Sequence, residues 1–422
     1  MATTTPTAPP LVPPIALRHP PPRGPGRASP ARARHESTVL GLLRGHGPLT
    51  RGELAGLSGL SRSTLSEVVG ALVDARAVRV EVPEAAGRGR GRPAERVSLD
   101  PAATDLLGVD FAPTAVRAAA TATAHGALRT ASVPHHPDLP WEARVALAGR
   151  LARSLTGGAS RAATPPDGAA VGPGVRVALG VGDGTRAGPD EGPDDAVRAL
   201  LRERFGARAH VESATRLAAL AERTWGAAAG ERDVLYLHLS HRVGGALVVG
   251  GEPHRGAHGG SGRFGHLSVD PYGPPCACGR SGCLETLASV DAVLAAHGSA
   301  ADVPQLAAAL AAGDPAARVA LARAGRHAGR ALADLCHAFG PDTVVVGGEL
   351  AGLGPALTGP LRDELDASMP DRGARTPAGP RTPPVLRSAK LGDVGAALGA
   401  VALLLRRRPG GARPPTGGAY DG

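Results

Sequence analysis

The sequence predicts an α/β protein in two parts: a winged helix-turn-helix over residues 35–100 and a larger two-lobed α/β body over residues 105–405. Three observations predict it. Apolar residues recur at helical spacing between Val39 and Leu72, then alternate like a strand from Val78. From Leu106 onward, strand-like and helix-like segments alternate. The charge is also segregated. Residues 1–100 carry 14 Arg against 8 acidic residues, whereas residues 101–400 are neutral, in a chain of 422 residues and formal net charge +9. A basic head on a neutral body points to an acidic polymer bound at one end, foremost nucleic acid.

The head reads element by element. Val39, Leu40, Leu42 and Leu43 share a helical face, and Gly45 to Pro48 ends that helix. Thr50-Arg51-Gly52-Glu53 has the form of a capping box and opens a second helix carrying Leu54, Ala55 and Leu57. Ser58-Gly59-Leu60 forms the turn. Ser61 caps a third helix from Arg62 to about Ala75, with Leu65, Val68, Val69 and Leu72 facing inward. Two short helices around a Gly-containing turn make a helix-turn-helix, although a plain three-helix bundle shares the pattern. The start of the third helix offers Arg62, Ser63, Thr64, Ser66 and Glu67, groups able to reach base edges and phosphates in a major groove. Val78–Val82 and Arg96–Leu99 read as a two-stranded wing. Its tip, Gly87-Arg88-Gly89-Arg90-Gly91-Arg92-Pro93, suits a minor groove, where narrow width concentrates negative potential. A flexible linker is the alternative for that tip.

In the body, Leu107–Phe111 and Val116–Thr123 read as a hairpin, with strands also at Val175–Val181, Ala209–Val211, Val234–Leu239, Ala246–Val249 and Val344–Gly348. Helices are expected at Trp141–Leu155, Asp194–Phe205, Ala214–Trp225, Val303–Ala312 and Ala316–Phe339. Gly157–Pro173 and Asp371–Pro384 are Gly/Pro-rich and read as mobile linkers. Residues 1–34 and 406–422 read as disordered basic arms. Leu11–Leu17 is broken by Pro13 and Pro14, so no signal peptide is expected. No apolar run reaches the length of a membrane span, and a cytoplasmic, nucleoid-associated protein follows.

Three of the four cysteines fall within Cys276-Ala277-Cys278-Gly279-Arg280-Ser281-Gly282-Cys283, and His266 lies ten residues upstream. Cys₃His is the ligand complement of a closed structural Zn²⁺ site, and soft thiolates favour zinc. Gly279 and Gly282 let the backbone turn tightly enough for closely spaced sulfurs to meet one ion. A disulfide is the alternative, disfavoured by the odd cluster and the lack of a secretory signal. Cys336 stands alone in an apolar stretch and reads as a small buried hydrophobe.

The stretch from Gly265-His266 to Cys283-Leu284-Glu285 closely resembles the signature of the ROK family (repressor, open reading frame, kinase). Leu107-Gly108-Val109-Asp110, Leu217–Glu222, Val344–Gly348 and Leu391–Ala400 resemble further family landmarks. The resemblance covers about residues 35–405 and implies an actin-like, sugar-kinase-like body. The head resembles that of the family's regulator branch, whose members are transcription factors.

Family kinases bind ATP and a sugar between the lobes, and the resemblance locates where this chain departs from them. The first phosphate turn, Asp-Ile-Gly-Gly-Thr in the family, reads Asp110-Phe111-Ala112-Pro113-Thr114, without glycines and with one N–H removed by Pro113. The second, a Gly-Thr-Gly loop in the family, reads Ser240-His241-Arg242-Val243-Gly244. The catalytic Asn-Asp-Ala-Asn motif falls on Ser213-Ala214-Thr215-Arg216, and Ala214 cannot act as a general base. The sugar-binding Glu-x-Gly-His reads Arg263-Phe264-Gly265-His266, so a cation replaces a carboxylate. The Pro-Gly turn expected after the Val175 strand appears as Gly182-Asp183-Gly184. Glu285 and His266 remain where the family places groups near the sugar. An acidic or phosphorylated ligand paired with Arg263 and Arg216 is one reading of the altered site; a vestigial pocket with internal salt bridges is the other.

The expectation is a non-enzymatic ROK-type transcription regulator that senses a sugar-related or other small ligand, or none. A dimer or dimer of dimers would read a pseudo-palindromic double-stranded DNA operator, because helix-turn-helix heads pair across two half-sites. Structural zinc would shape the body that spaces the heads. Nine aromatic residues are too few for stacking on single strands. The rivals are a ROK sugar kinase and a ligand-binding scaffold without DNA regulation.

Overall fold

A computed structural model describes residues 35–36, 38–40, 42–43, 46–74, 78–81, 95–99, 106–121, 128–156, 175–182, 195–206, 209–369, 375–376, 379–380 and 384–406. The basic arms at residues 1–34 and 407–422, the Gly-Arg tip and the linker at 157–173 lie outside the described residues.

The N-terminal unit has its own small core. The described residues between 35 and 46 are mostly helical, followed by helices Arg51–Ser58 and Arg62–Asp74. The capping box forms: Glu53 N donates to Thr50 Oγ1 at 3.2 Å, and Thr50 N donates to Glu53 Oε2 at 2.7 Å. Gly59 takes a left-handed φ of 69° to end that helix, and Thr64 N donates to Ser61 Oγ at the start of the next. Val39, Leu40, Leu43, Leu54, Leu65, Val68, Val69 and Leu72 pack against Val78 and Val97. Leu57 stays half-exposed. The sheet has three antiparallel strands rather than the two expected, in the order Leu49–Thr50, Arg96–Leu99, Val78–Glu81. Two residues are too few to show alternation, which is why Leu49–Thr50 left no trace in the sequence pattern.

The body is built from two five-stranded sheets of the same plan. The first runs Arg129–Pro134, Ala115–Thr121, Leu106–Phe111, Arg176–Val181, His210–Ser213. The second runs Glu252–Pro253, Val243–Val249, Val234–Leu239, Thr343–Gly347, Val385–Ser388. In each, the first three strands pair antiparallel and the last three parallel. Helices Ala214–Trp225 and Gly395–Arg406 share one apolar cluster with Leu106, Ala119 and Ala178 of the first sheet and Val234, Tyr236 and Val345 of the second. Glycine lets these elements meet closely: a Cβ on Gly399 would stand 1.8 Å from Leu217 O of the facing helix, and one on strand residue Gly108 would stand 2.1 Å from Ala397 O of helix Gly395–Arg406. Helix Trp141–Thr156 covers the outer face of the first sheet. Helices Pro315–Phe339 and Pro355–Ala367 cover that of the second.

Most expected elements stand within a few residues of their predicted ends. Strands Arg129–Pro134 and Val385–Ser388 and helix Pro355–Ala367 were not expected. The first strand is largely polar, and the helix carries Pro360 inside it. Within the expected linker 371–384, Arg375–Thr376 and Gly379–Pro380 pair as a short hairpin. No described helix is long and apolar enough to cross a membrane.

Candidate functional site

The cysteine stretch folds into a compact knot. Cys276 N donates to Arg280 O at 2.7 Å and Gly279 N to Cys276 O at 2.9 Å, which reverses the chain between Cys276 and Arg280. Gly279 and Gly282 both take positive φ, and a Cβ on Gly282 would stand 1.5 Å from Asp270 O. His266 closes a 3-10 turn, and Cys283 is the N-cap of helix Leu284–Ala288. One ligand atom from each of His266, Cys276, Cys278 and Cys283 lies within 4.8 Å of every other. Cys278 Sγ and Cys283 Sγ are 3.6 Å apart, and Cys276 Sγ is 3.5 Å from His266 Nδ1. Ligands about 2.3 Å from a tetrahedral ion stand about 3.8 Å from one another, so the set fits a metal of zinc's size and softness. Four such donors would fill the shell of a tetrahedral ion, the pattern of a structural site. Cys336 is buried far along the sequence in helix Pro315–Phe339, outside this cluster.

Beside the knot, the loop Ser240-His241-Arg242 is tied to three carboxylates. Ser240 Oγ donates to Glu349 Oε1 at 3.2 Å, and His241 Nδ1 lies 2.9 Å from Asp291 Oδ1. Arg242 Nη1 donates to Glu285 Oε1 at 3.0 Å, and Val243 N donates to Glu285 Oε2 at 3.1 Å. Both Glu285 oxygens are therefore engaged.

Arg216, expected near a ligand, instead faces its own neighbours. It is buried, its Nε donates to Glu212 Oε1 at 2.8 Å, and its Nη1 donates to Ser261 O at 2.8 Å. Glu212 Oε2 pairs with Arg255. Arg263 is exposed immediately before the 3-10 turn of His266. Asp110 is buried under Arg117, whose Nη1 stands 3.4 Å from Asp110 Oδ2 and whose Nη2 stands 3.4 Å from Asp393 Oδ2. Burial, partly opposed by Arg117, pushes the Asp110 carboxyl up to about 6, and burial pushes His238 down to about 4.

In the head, Arg62, Ser63 and Ser66 are exposed, and Thr64 is half-buried with Oγ1 2.9 Å from Ser61 Oγ. Arg88, Arg90 and Arg92 lie outside the described residues. Sequence reasoning missed Glu212, Arg255, Glu349 and Asp291. Glu212 stands four residues before Arg216 but on strand His210–Ser213, so no helical spacing reveals the pair. The others reach the site from distant segments.

The ROK family pattern matches residues 191–407, just over half of the chain. The chain belongs to the ROK family. It is 32% identical over 181 residues to the DNA-binding transcriptional repressor Mlc of Escherichia coli K12, a match covering 39% of this chain and 44% of Mlc. The chain thus spans less than half the length of that repressor. Its fold is similar to the ROK hexokinase of Thermus thermophilus, with 30% identity, a TM-score of 0.52, and coverage of 71% of this chain and 97% of the hexokinase. A ROK family transcriptional regulator homologous to E. coli Mlc shares the fold over 89% of this chain and 96% of its own, with 22% identity and a TM-score of 0.55. The family relatives thus include both repressors and sugar kinases.

Proposed function

We propose that this ROK protein is a DNA-binding transcription regulator, most simply a repressor, whose kinase-like body no longer transfers phosphate. The observation that carries the reading is the Ser240–Arg242 loop. Its side chains fill the loop and run to Glu349, Asp291 and Glu285, so carboxylates surround the place where a phosphate loop must offer bare N–H groups. Ala214 at the general-base position supports the same conclusion.

The N-terminal unit serves as a winged helix-turn-helix. The exposed Arg62, Ser63 and Ser66, with Thr64, supply base and phosphate contacts in a major groove, and Arg88, Arg90 and Arg92 supply minor-groove and phosphate affinity. Two heads in a dimer, or a dimer of dimers, read a pseudo-palindromic operator in the cytoplasm. Zn²⁺ on His266, Cys276, Cys278 and Cys283 is structural: it clamps the chain that carries Glu285. A small effector, sugar-related or otherwise, is sensed by the body, with Arg263, His266, Glu285 and Arg216 as the candidate contacts.

The likeness to the transcriptional repressor Mlc supports the regulator reading, while the hexokinase likeness keeps a kinase as the rival. A coupled ATPase assay over a panel of sugars separates them: no turnover is expected, and sugar-dependent turnover would overturn the proposal.

A further inference from the structure

Helix Pro315–Phe339 is 25 residues long, and no acidic residue falls between Pro315 and Ala333. Arg318, Arg323, Arg326 and Arg330 are all exposed along that stretch. Val319, Arg323, Arg326, Arg330 and His337 recur at helical spacing and form one outward stripe, opposite the buried Ala317, Leu321, Ala324 and Ala328. Arg330 pairs with Glu364 at 2.7 Å, whereas Arg318, Arg323 and Arg326 pair with no carboxylate among the described residues. The acids lie further along. Asp334 flanks the stripe, and Asp363 and Glu364 come from helix Pro355–Ala367. That helix runs beside the first in the same direction: a Cβ on Gly325 would stand 2.4 Å from Leu357 O, one on Gly329 would stand 2.6 Å from Leu361 O, and His337 Nε2 lies 3.2 Å from Ser368 O. Asp363 and Glu364 are therefore level with Arg330, past the unpaired arginines. The two-helix layer is basic at one end and acidic beyond its middle.

We infer that the outer face of these two helices docks a second copy of this chain, turned end for end about a twofold axis that lies across the helices. A homodimer face must be complementary to itself. An axis running along the helices would set arginines on arginines. An axis across them lays the basic end of each copy, Arg318 to Arg326, over the acidic end of the other, which carries Asp334 and Asp363. A nucleic acid would be drawn to the basic end but repelled by the acids beside it, so the charge pattern selects a second copy over a phosphate backbone. Val319, 64% exposed at the basic end, adds apolar surface that docking takes from water. Helices about 37 and 20 Å long and about 10 Å across present an outer face on the order of the 800 Å² per partner that a standard interface buries. The inference rests on the regulator reading only in that such a pair would carry the two heads.

Sedimentation equilibrium of the full chain, without DNA, measures the association. Wild type should be dimeric. Arg323→Glu with Arg326→Glu makes both ends acidic and should weaken dimerisation by roughly ten-fold or more, because like charges then face each other. Asp334→Arg with Asp363→Arg makes both ends basic and should weaken it similarly. These positions are exposed, so both variants should fold, which circular dichroism checks. Mixed in equal amounts, the two variants should pair with each other, a rescue that a folding defect would not give. Unchanged dimerisation in either variant, or no pairing on mixing, overturns the inference. A monomeric wild type overturns it as well, and operator affinity lowered in Arg323→Glu with Arg326→Glu would then assign the basic end to DNA. Operator binding is measured on the same preparations. Discrete operator binding by a dimer indifferent to these substitutions removes this face alone, and the expected dimer without operator binding removes the regulator reading alone.

Discussion

Arg242 Nη1 donates to Glu285 Oε1 at 3.0 Å, joining the loop after strand Val234–Leu239 to the helix that follows Cys283. The contact satisfies a carboxylate that is 14% exposed, using an arginine that is 52% exposed. A neutral sugar seeking Glu285 must therefore compete with a cation and with the Val243 N–H.

Arg242→Ala removes an exposed partner, so its cost in stability should stay within about 1 kcal/mol. Glu285→Ala should cost more, because it also strips the buried Val243 N–H of its acceptor. Thermal denaturation of the two variants checks the order. Arg242→Ala should also leave sugar-dependent ATP hydrolysis undetectable, since the neighbouring carboxylates remain.

Glu222 is a buried acid held by three backbone N–H groups. Its side chain accepts from the backbone N–H groups of Ala227, Lys390 and Leu391, pinning the end of helix Ala214–Trp225 to the turn before Gly395–Arg406. Glu222→Gln replaces one acceptor oxygen by a donor facing an N–H, and should destabilise by about 2–4 kcal/mol. Urea unfolding followed by circular dichroism measures it.

The Asp110 carboxyl, raised to about 6 in the fold from an ordinary 3.8, stabilises the folded state fully below pH 3.8, and that contribution is lost as pH rises through 6. His238, lowered to about 4 from 6.5, contributes stability above pH 6.5 that is lost as pH falls toward 4. The two effects oppose each other between those limits. Asp110→Asn should gain stability relative to wild type as pH rises from 4 to 7, by up to on the order of 3 kcal/mol. With Asp110 gone, the loss on acidification through the His238 window should steepen. Melting temperatures from pH 4 to pH 8 report both.

Metal analysis of the purified chain should find one zinc ion per chain. Cys278→Ser should lose it and melt several degrees lower, whereas Cys336→Ser should retain it, because Cys336 lies outside the cluster. If the zinc shapes the body that spaces the heads, operator affinity should fall in Cys278→Ser as well; unchanged affinity would separate the metal from DNA binding.

The legible parts of the molecule were those written in local spacing. The capping box at Thr50 and Glu53, the inward stripe from Leu65 to Leu72 and the cysteine knot each depend on residues a few positions apart. Strand Val234–Leu239 and helix Ala214–Trp225 were readable for the same reason, as unbroken apolar or amphipathic runs. The surroundings of Arg216 were not legible: Glu212 lies across the junction of strand His210–Ser213 and helix Ala214–Trp225, and Ser261 and the Glu212 partner Arg255 come from a distant loop. The same holds for Arg242, whose substitution was visible in the loop but whose partner lies 43 residues on. Side-chain pairing across a fold depends on tertiary placement that no local pattern encodes.

The central claim is that the head reads DNA and the body no longer phosphorylates. Genomic footprinting of the tagged full chain, wild type beside Arg62→Ala, tests it most directly. The account predicts discrete sites sharing an inverted repeat in wild type and their loss or strong weakening in Arg62→Ala. Absence of any discrete site in wild type, from folded protein present at normal levels, would contradict it.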